Sequence, residues 1–275
     1  MNPKLFDIHS HLNLSDFDQD WPEVLERTLA GDCWTITVGA DLASSKKAVE
    51  IANTKTEGVW ATVGFHPTDG VTPKPQAEAD AEWVELATLA KNPKVVAIGE
   101  CGFEFFRVKS KEQIEKQKDL FRKHIELAIQ LNKPLMIHCR PSEGSMDAYE
   151  EAIEILTEYI KAVPREARRA EWGNFHFFAG DSVMAQKCLE LGFTLSFTGV
   201  ITFARQYDEV IKNMPLEMLL AETDAPFVAP VPYRGKRCEP LYVAQVVAKL
   251  AELRGLSPEQ MAEITVANGR RGFGV

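Results

Sequence analysis

LFDIHSH, residues 5–11, begins as an apolar run and ends on two histidines spaced two apart. Side chains two residues apart on a strand point to the same face, so His9 and His11 can reach one metal ion together. Seven further runs follow: WTITVGA (34–40), VWATVGFH (59–66), KVVAIGE (94–100), PLMIHC (134–139), NFHFF (174–178), TLSFTG (194–199) and MLLAETDAP (218–226). Most are rich in β-branched and aromatic residues. Near-continuous apolar character of this length suits strands covered on both faces, as in a parallel sheet.

The intervening stretches carry helical periodicity. From Lys111 to Asn132 the apolar positions include Ile114, Leu120, Phe121, Ile125, Ala128 and Leu131; from Met146 they are Met146, Tyr149, Ile153, Leu156 and Ile160. These spacings of three and four predict amphipathic helices. Strand then helix, repeated eight times without a linker, predicts an α/β chain folded as one (β/α)8 TIM barrel over residues 1–275. The alternative is an open doubly wound sheet. Closure is favoured because His9, His11, His66, Glu100, His138, His176 and Asp224 all fall at or near the C-terminal ends of their runs. In a barrel those ends converge on one face, whereas an open sheet cannot bring six of them together. A helix after Leu241, ended by Gly255, and a segment from Ser257 to Asn268 are expected to cover the barrel's outside.

The bulk properties agree. A length of 275 residues is near the roughly 250 of such barrels. With 45% hydrophobic and 26% charged residues the chain can fill a large core beneath an ordinary surface. MNPKLFDIHSHL shows no basic stretch followed by a long apolar run, and no later segment approaches the ~18 apolar residues of a membrane helix. A cytoplasmic monomer with no membrane association and no protein partner is expected. Cys33, Cys101, Cys139, Cys188 and Cys238 are widely spaced and form no C-x-x-C pair, so they read as isolated thiols. A net charge of −9 argues against coating of long duplexes, which rests on many Lys/Arg–phosphate contacts. Nucleases are not excluded, because carboxylates that hold metal ions contribute to that charge and the ions invert it locally.

H-x-H alone is also found in ordinary cores. Here five of the six histidines occupy strand ends; His124 falls mid-helix and reads as structural or exposed. Glu100 follows a largely apolar run, so its carboxylate is costly to bury without a cation, either a metal ion or an arginine. Asp224 is placed likewise before Pro226, and Glu222, two residues earlier, is expected to face the interior behind it. Histidine with carboxylate suits zinc, manganese, iron or cobalt better than calcium, with magnesium possible where carboxylates and water complete the shell.

FDIHSHL, GFHP (64–67), IGECG (98–102), PLMIHCR (134–140), HFF (176–178), ETDAP (222–226), RGKRCEP (234–240) and Asn268 together resemble the successive signature motifs of the TatD family of metal-dependent deoxyribonucleases, over essentially the whole chain. The resemblance implies a hydrolase of the amidohydrolase-like barrel superfamily holding two divalent ions (Mg, Mn or Zn). It places one ion on His9, His11 and Asp224 and the other on His138 and His176, with Glu100 bridging. Asp224 would act as general base, and His66 would contact the scissile phosphate without ligating metal.

Two departures bear on substrate choice. Glu104 stands where the family has Asp, and CRPSEGSMDAYE after His138 is longer and more polar than a minimal loop. Arg140 and Arg234 are the candidate phosphate contacts, since a guanidinium matches phosphate oxygens, and RGKR (234–237) would concentrate charge at the rim; solvated arginines are the plainer alternative. Phe103, Phe105 and Phe106 either stack on bases or, for at least two of them, pack beneath a loop. The leading expectation is an exonuclease acting on single-stranded or frayed DNA or RNA ends. Behind it stand a hydrolase of another bond, such as an aminoacyl ester on tRNA or a cyclic amide, a small-phosphoester enzyme, and a non-catalytic binding barrel.

Overall fold

A computed structural model describes residues 3–164 and 169–275. In chain order the elements are β1 (Leu5–Ser10), α1 (Trp21–Ala30), β2 (Cys33–Val38), α2 (Leu42–Asn53), β3 (Val59–Val63), α3 (Gln76–Leu89), β4 (Val95–Glu104), α4 (Lys111–Leu131) and β5 (Leu135–Arg140). There follow α5 (Asp147–Ala162), β6 (Gly173–Phe175), α6 (Ser182–Glu190), β7 (Phe193–Phe197), α7 (Asp208–Asn213), β8 (Leu219–Ala221), α8 (Val243–Arg254) and α9 (Pro258–Phe273). Local chemistry sets several ends: Asp41 and Ser44 form a capping box on α2, Ser257 and Gln260 another on α9, and left-handed Gly255 stops α8.

All eight strands pair in parallel in sequence order. The ring closes between the ends of the sheet through a parallel bridge of Ser10 with Ala225. There the His11 amide donates to the Ala225 carbonyl at 2.6 Å and the Asp224 amide to the His9 carbonyl at 2.8 Å. Asp7 fastens the same seam from outside, accepting from the Thr223 amide and hydroxyl, each at 2.8 Å. The chain is therefore a (β/α)8 barrel, and the open doubly wound alternative is set aside.

Alternation along the strands divides the core in two. Val59, Ala61, Val63, Leu135, Ile137, Leu195 and Phe197 pack outward with helical residues such as Leu86, Phe121 and Ile125. Phe6, Ile8, Ile36, Val38, Met136 and Leu220 line the inner cluster, which Val266 and Phe273 of α9 join. Asn268 donates to the carbonyls of Leu216 and Leu219, tying α9 to the start of β8. So α9 seals the N-terminal end of the barrel, where the sequence suggested that it covers the outside.

Two bulges interrupt the alternation at the residues of interest. Between Asp7 and Ser10 three steps on β1 oppose two on β2, and between Ile98 and Cys101 three steps on β4 oppose two on β5. Each extra residue swaps the inward and outward faces for the remainder of its strand. Ile8 lies inside, so strict alternation would send His9 outward; the bulge returns it to the interior. Ile98 and Cys101 both face the helices, leaving Gly99 and Glu100 to span the inner side. Gly99 has φ +147°, and a Cβ there would lie 2.3 Å from the Met136 carbonyl oxygen, so only glycine fits the bulge that turns Glu100 inward.

Candidate metal centre

The seven residues singled out at strand ends meet at the C-terminal mouth, though several lie beyond regular strand. β8 stops at Ala221 and β6 at Phe175, shorter than the runs 218–226 and 174–178 suggested, while β4 continues to Glu104. Asp224 is consequently placed by a left-handed backbone (φ 57°) rather than by alternation.

Glu100 is the hub. Its Oε1 lies 2.8 Å from Nε2 of His176 and 2.9 Å from Nδ1 of His138, and 3.7 Å from Nε2 of His66. Its Oε2 lies 3.7 Å from Nε2 of both His9 and His11. Asp224 Oδ1 faces the same two nitrogens at 3.6 and 3.3 Å. One oxygen of the carboxylate thus serves His138 and His176, with His66 farther off, and the other serves His9 and His11.

The far side of each ring is equally specific. His11 Nδ1 donates to the Val38 carbonyl at 2.9 Å, leaving its Nε2 with a lone pair toward the cluster. Glu222 Oε2 stands behind two rings, 3.7 Å from His9 Nδ1 and 3.6 Å from His176 Nδ1, and those rings stack at 3.8 Å. Glu222 is itself held by Ser196 Oγ at 2.9 Å and by the Phe177 amide. Glu104 Oε2 stands behind His138, 3.5 Å from its Nε2. Carboxylates and carbonyls that take the outer N–H of an imidazole are the usual support of metal-binding histidine.

The donor set fits divalent ions. Nitrogen–metal bonds of about 2.0–2.1 Å put neighbouring ligands of a tetrahedral ion about 3.3 Å apart, and the facing Nε2 atoms of His9 and His11 are 3.1 Å apart. The groups His9–His11–Glu100 and His66–Glu100–His138 each bring three ligand atoms within 4.8 Å, and in the second, where His66 presents a proton, His176 Nε2 stands 3.3 Å from His138 Nδ1 beside the same Glu100 oxygen. A third such group, His9–His176–Glu222, uses the rear nitrogens and is accounted for by Glu222 orienting both rings.

Charge is concentrated here. Burial acts to raise the Glu100 carboxyl, but the imidazoles of His176, His66 and His138 hold it well below the usual carboxylate range. Against burial, which lowers it, Glu100 and Glu222 raise His176 well above an ordinary imidazole. A carboxylate that draws protons onto its neighbours will also draw a cation. His66 is pushed down to about 3 by burial and by the adjacent His138. Its Nδ1 accepts the Thr68 amide at 3.2 Å, so Nε2 carries the proton and is a donor 3.7 Å from Glu100 Oε1.

Family comparison agrees with this arrangement: residues 6–274 match the family described as "TatD related DNase". The chain belongs to the TatD-related DNase family. Among its relatives, the uncharacterized metal-dependent hydrolase YabD of Bacillus subtilis is 39% identical over 98% of each chain. The 3'-5' ssDNA/RNA exonuclease TatD of Klebsiella pneumoniae is 34% identical, again over 98% of each. The crystal structure of YjjV, a TatD homologue from Escherichia coli, superposes over 100% of both chains with a TM-score of 0.83 at 26% identity. Like other TatD proteins, the chain is a metal-dependent hydrolase of ester bonds.

The rim differs from the sequence-based expectation in places. Arg140 lies 3.9 Å from Glu104 and stacks 4.3 Å over the exposed Phe106 ring. Arg234 donates to the Ala229 carbonyl and stacks 4.1 Å over Phe203. Arg237, by contrast, is committed to Asp20 through two bonds of 2.8 and 2.6 Å, so RGKR is not a free cationic patch. Phe103 and Phe105 are buried. Only half of the polar stretch after His138 is regular structure, since Arg140 ends β5 and α5 starts at Asp147, which leaves residues 141–146 as the connecting loop. Glu104 is a support of His138, a role that sequence did not reveal; a carboxylate inside an apolar strand was the available signal. His124 is buried, donating to the Leu120 carbonyl and accepting the Phe65 amide.

Proposed function

We propose that this chain is a dinuclear phosphodiesterase that trims single-stranded or frayed DNA or RNA from an end, residues 1–275 acting as one monomeric unit. The carrying observation is the division of Glu100 between two imidazole pairs, the arrangement expected of a carboxylate shared by two cations. His9, His11 and Asp224 would hold one divalent ion and His138 and His176 the other; magnesium, manganese and zinc all suit this set. Such ions supply an acidified water and neutralise charge on the leaving oxygen.

The chain's own groups do the rest. Asp224, at the edge of the cluster and less enclosed than Glu100, accepts the proton of the attacking water. As the new O–P bond forms, the opposite P–O bond breaks and the leaving oxygen departs. His66 Nε2–H donates to a phosphate oxygen, and Arg140 and Arg234 attract the strand at the rim. A stiff duplex does not enter a barrel mouth, whereas a free end does. The Klebsiella relative, a 3'-5' ssDNA/RNA exonuclease, supports the same substrate class. No helix among the described residues is long and apolar enough to cross a membrane, and five buried, unpaired cysteines accord with a reducing, cytoplasmic setting.

Metal-loaded protein offered end-labelled single strands, blunt duplex, an aminoacyl ester and a cyclic amide tests this. Stepwise shortening of the single strands is expected. Intact strands together with cleavage of the ester or amide would transfer the assignment to those bonds.

A further inference from the structure

Among the described residues, the phenylalanines that are most exposed are Phe106, Phe203 and Phe227, at 44%, 44% and 48%. All three lie beyond the C-terminal ends of strands: Phe106 after β4, Phe203 after β7 and Phe227 after β8. None lies on the outer helices or at the sealed N-terminal end. β4 stands opposite β8 in an eight-stranded ring, with β7 next to β8, so the segment carrying Phe106 leaves the mouth on a different side from those carrying Phe203 and Phe227. Phe227 comes within 6.2 Å of the His11 ring, which places it at the centre's edge.

Two of these rings are paired with a guanidinium. Arg140 lies over Phe106 at 4.3 Å and Arg234 over Phe203 at 4.1 Å, and Lys109 adds a second cation 5.8 Å from Phe106. Exposing a phenyl ring to water is unfavourable, and a protein that needed only phosphate attraction would place bare lysines there. A flat, cationic, partly apolar surface suits a ligand that is itself flat and tethered to phosphate. Both guanidinium planes and phenyl faces stack on unpaired bases, and they do so without reading sequence.

We propose that Phe106–Arg140 and Phe203–Arg234, with Phe227, form stacking platforms on different sides of the mouth that hold unpaired nucleobases flanking the scissile phosphate. This rests on the phosphodiesterase reading above and deepens it: bases, not the backbone alone, secure the strand. Paired bases offer no free faces, so the platforms favour single strands independently of how wide the mouth is.

The test compares a short single strand with an otherwise identical strand carrying abasic residues at its terminal positions, using wild-type protein, Phe106→Leu and Phe203→Leu. Wild type should show kcat/KM for the base-bearing strand at least about tenfold above the abasic one, and each leucine variant should lower that ratio about five- to fiftyfold or to unity. Because the ratio is taken within one protein, partial loss of folded material cannot imitate the effect. Equal kcat/KM for the two strands in wild type, or a ratio unmoved by both substitutions, overturns the platforms. The methyl ester of p-nitrophenyl phosphate serves as a baseless phosphodiester: failure of wild type to hydrolyse all three substrates, this ester and both strands, counts against the phosphodiesterase reading itself. Fluorescence anisotropy of labelled strands then decides the platforms separately. Tighter binding of the base-bearing strand that both variants weaken supports them, and equal binding refutes them.

Discussion

Glu104 Oε2 lies 3.5 Å from Nε2 of His138, on the side of the ring away from Glu100. The contact orients a ring whose other nitrogen faces the centre, and Arg140, 3.9 Å from the same carboxylate, ties it to the rim. Glu104→Gln should weaken divalent-metal affinity about 10- to 100-fold, as loss of such a support commonly does. Isothermal titration with Mn2+ or Zn2+ reads this directly. Glu104→Asp, one methylene shorter, should recover part of the affinity; an unchanged value in Glu104→Gln would mean that His138 is oriented by packing alone.

Glu100→Gln keeps the shape of the shared carboxylate and removes its charge. Turnover should fall by more than about a hundredfold, and bound metal per chain should drop below that of wild type. Thermal unfolding should change little, because the residue stands at the C-terminal face, away from the inner apolar cluster. A variant that retains full turnover would show that Glu100 bridges nothing.

Arg140→Ala and Arg234→Ala should raise KM more than they lower kcat, since both residues stand at the rim. Removing one arginine that neutralises a phosphate should flatten the salt dependence of strand capture by about 0.7 in log–log slope. Arg237→Ala should leave the slope alone and instead cost about 0.5–1 kcal/mol of stability, because it breaks a partly exposed pair with Asp20. Equal effects of all three on the slope would contradict this division.

His124 predicts a fall in stability with acid. Burial lowers its pKa from 6.5 to about 4, against the Leu120 hydrogen bond that favours the charged ring. As pH falls through 6.5 the unfolded chain takes up the proton and the folded one does not, so stability present at neutral pH is lost between about 6.5 and 4. The whole interval corresponds to about 3 kcal/mol. In urea titrations at pH 7 and 5, His124→Gln should show a shallower loss than wild type; identical slopes would assign the acid sensitivity to other groups.

The sequence by itself determined the eight strands and the ends at which chemistry collects. Apolar runs of strand length alternating with periods of three and four leave few ways to bury both faces of a sheet, and the polar residues at run ends stand out because their burial is costly without partners. H-x-H and the Glu after KVVAIG were legible for that reason. The tertiary structure alone decided which way those residues point. Bulges at Asp7–Ser10 and Ile98–Cys101 each insert one residue and turn His9 and Glu100 inward, and in the sequence an extra residue in a strand looks like any other. It also decided that Glu104 and Glu222 stand behind the imidazoles, that Arg237 is spent on Asp20, and that α9 closes the barrel's floor. Those are pairings between distant segments, where the partner of a charged or apolar group depends on which elements the closed ring brings together and no local pattern records it.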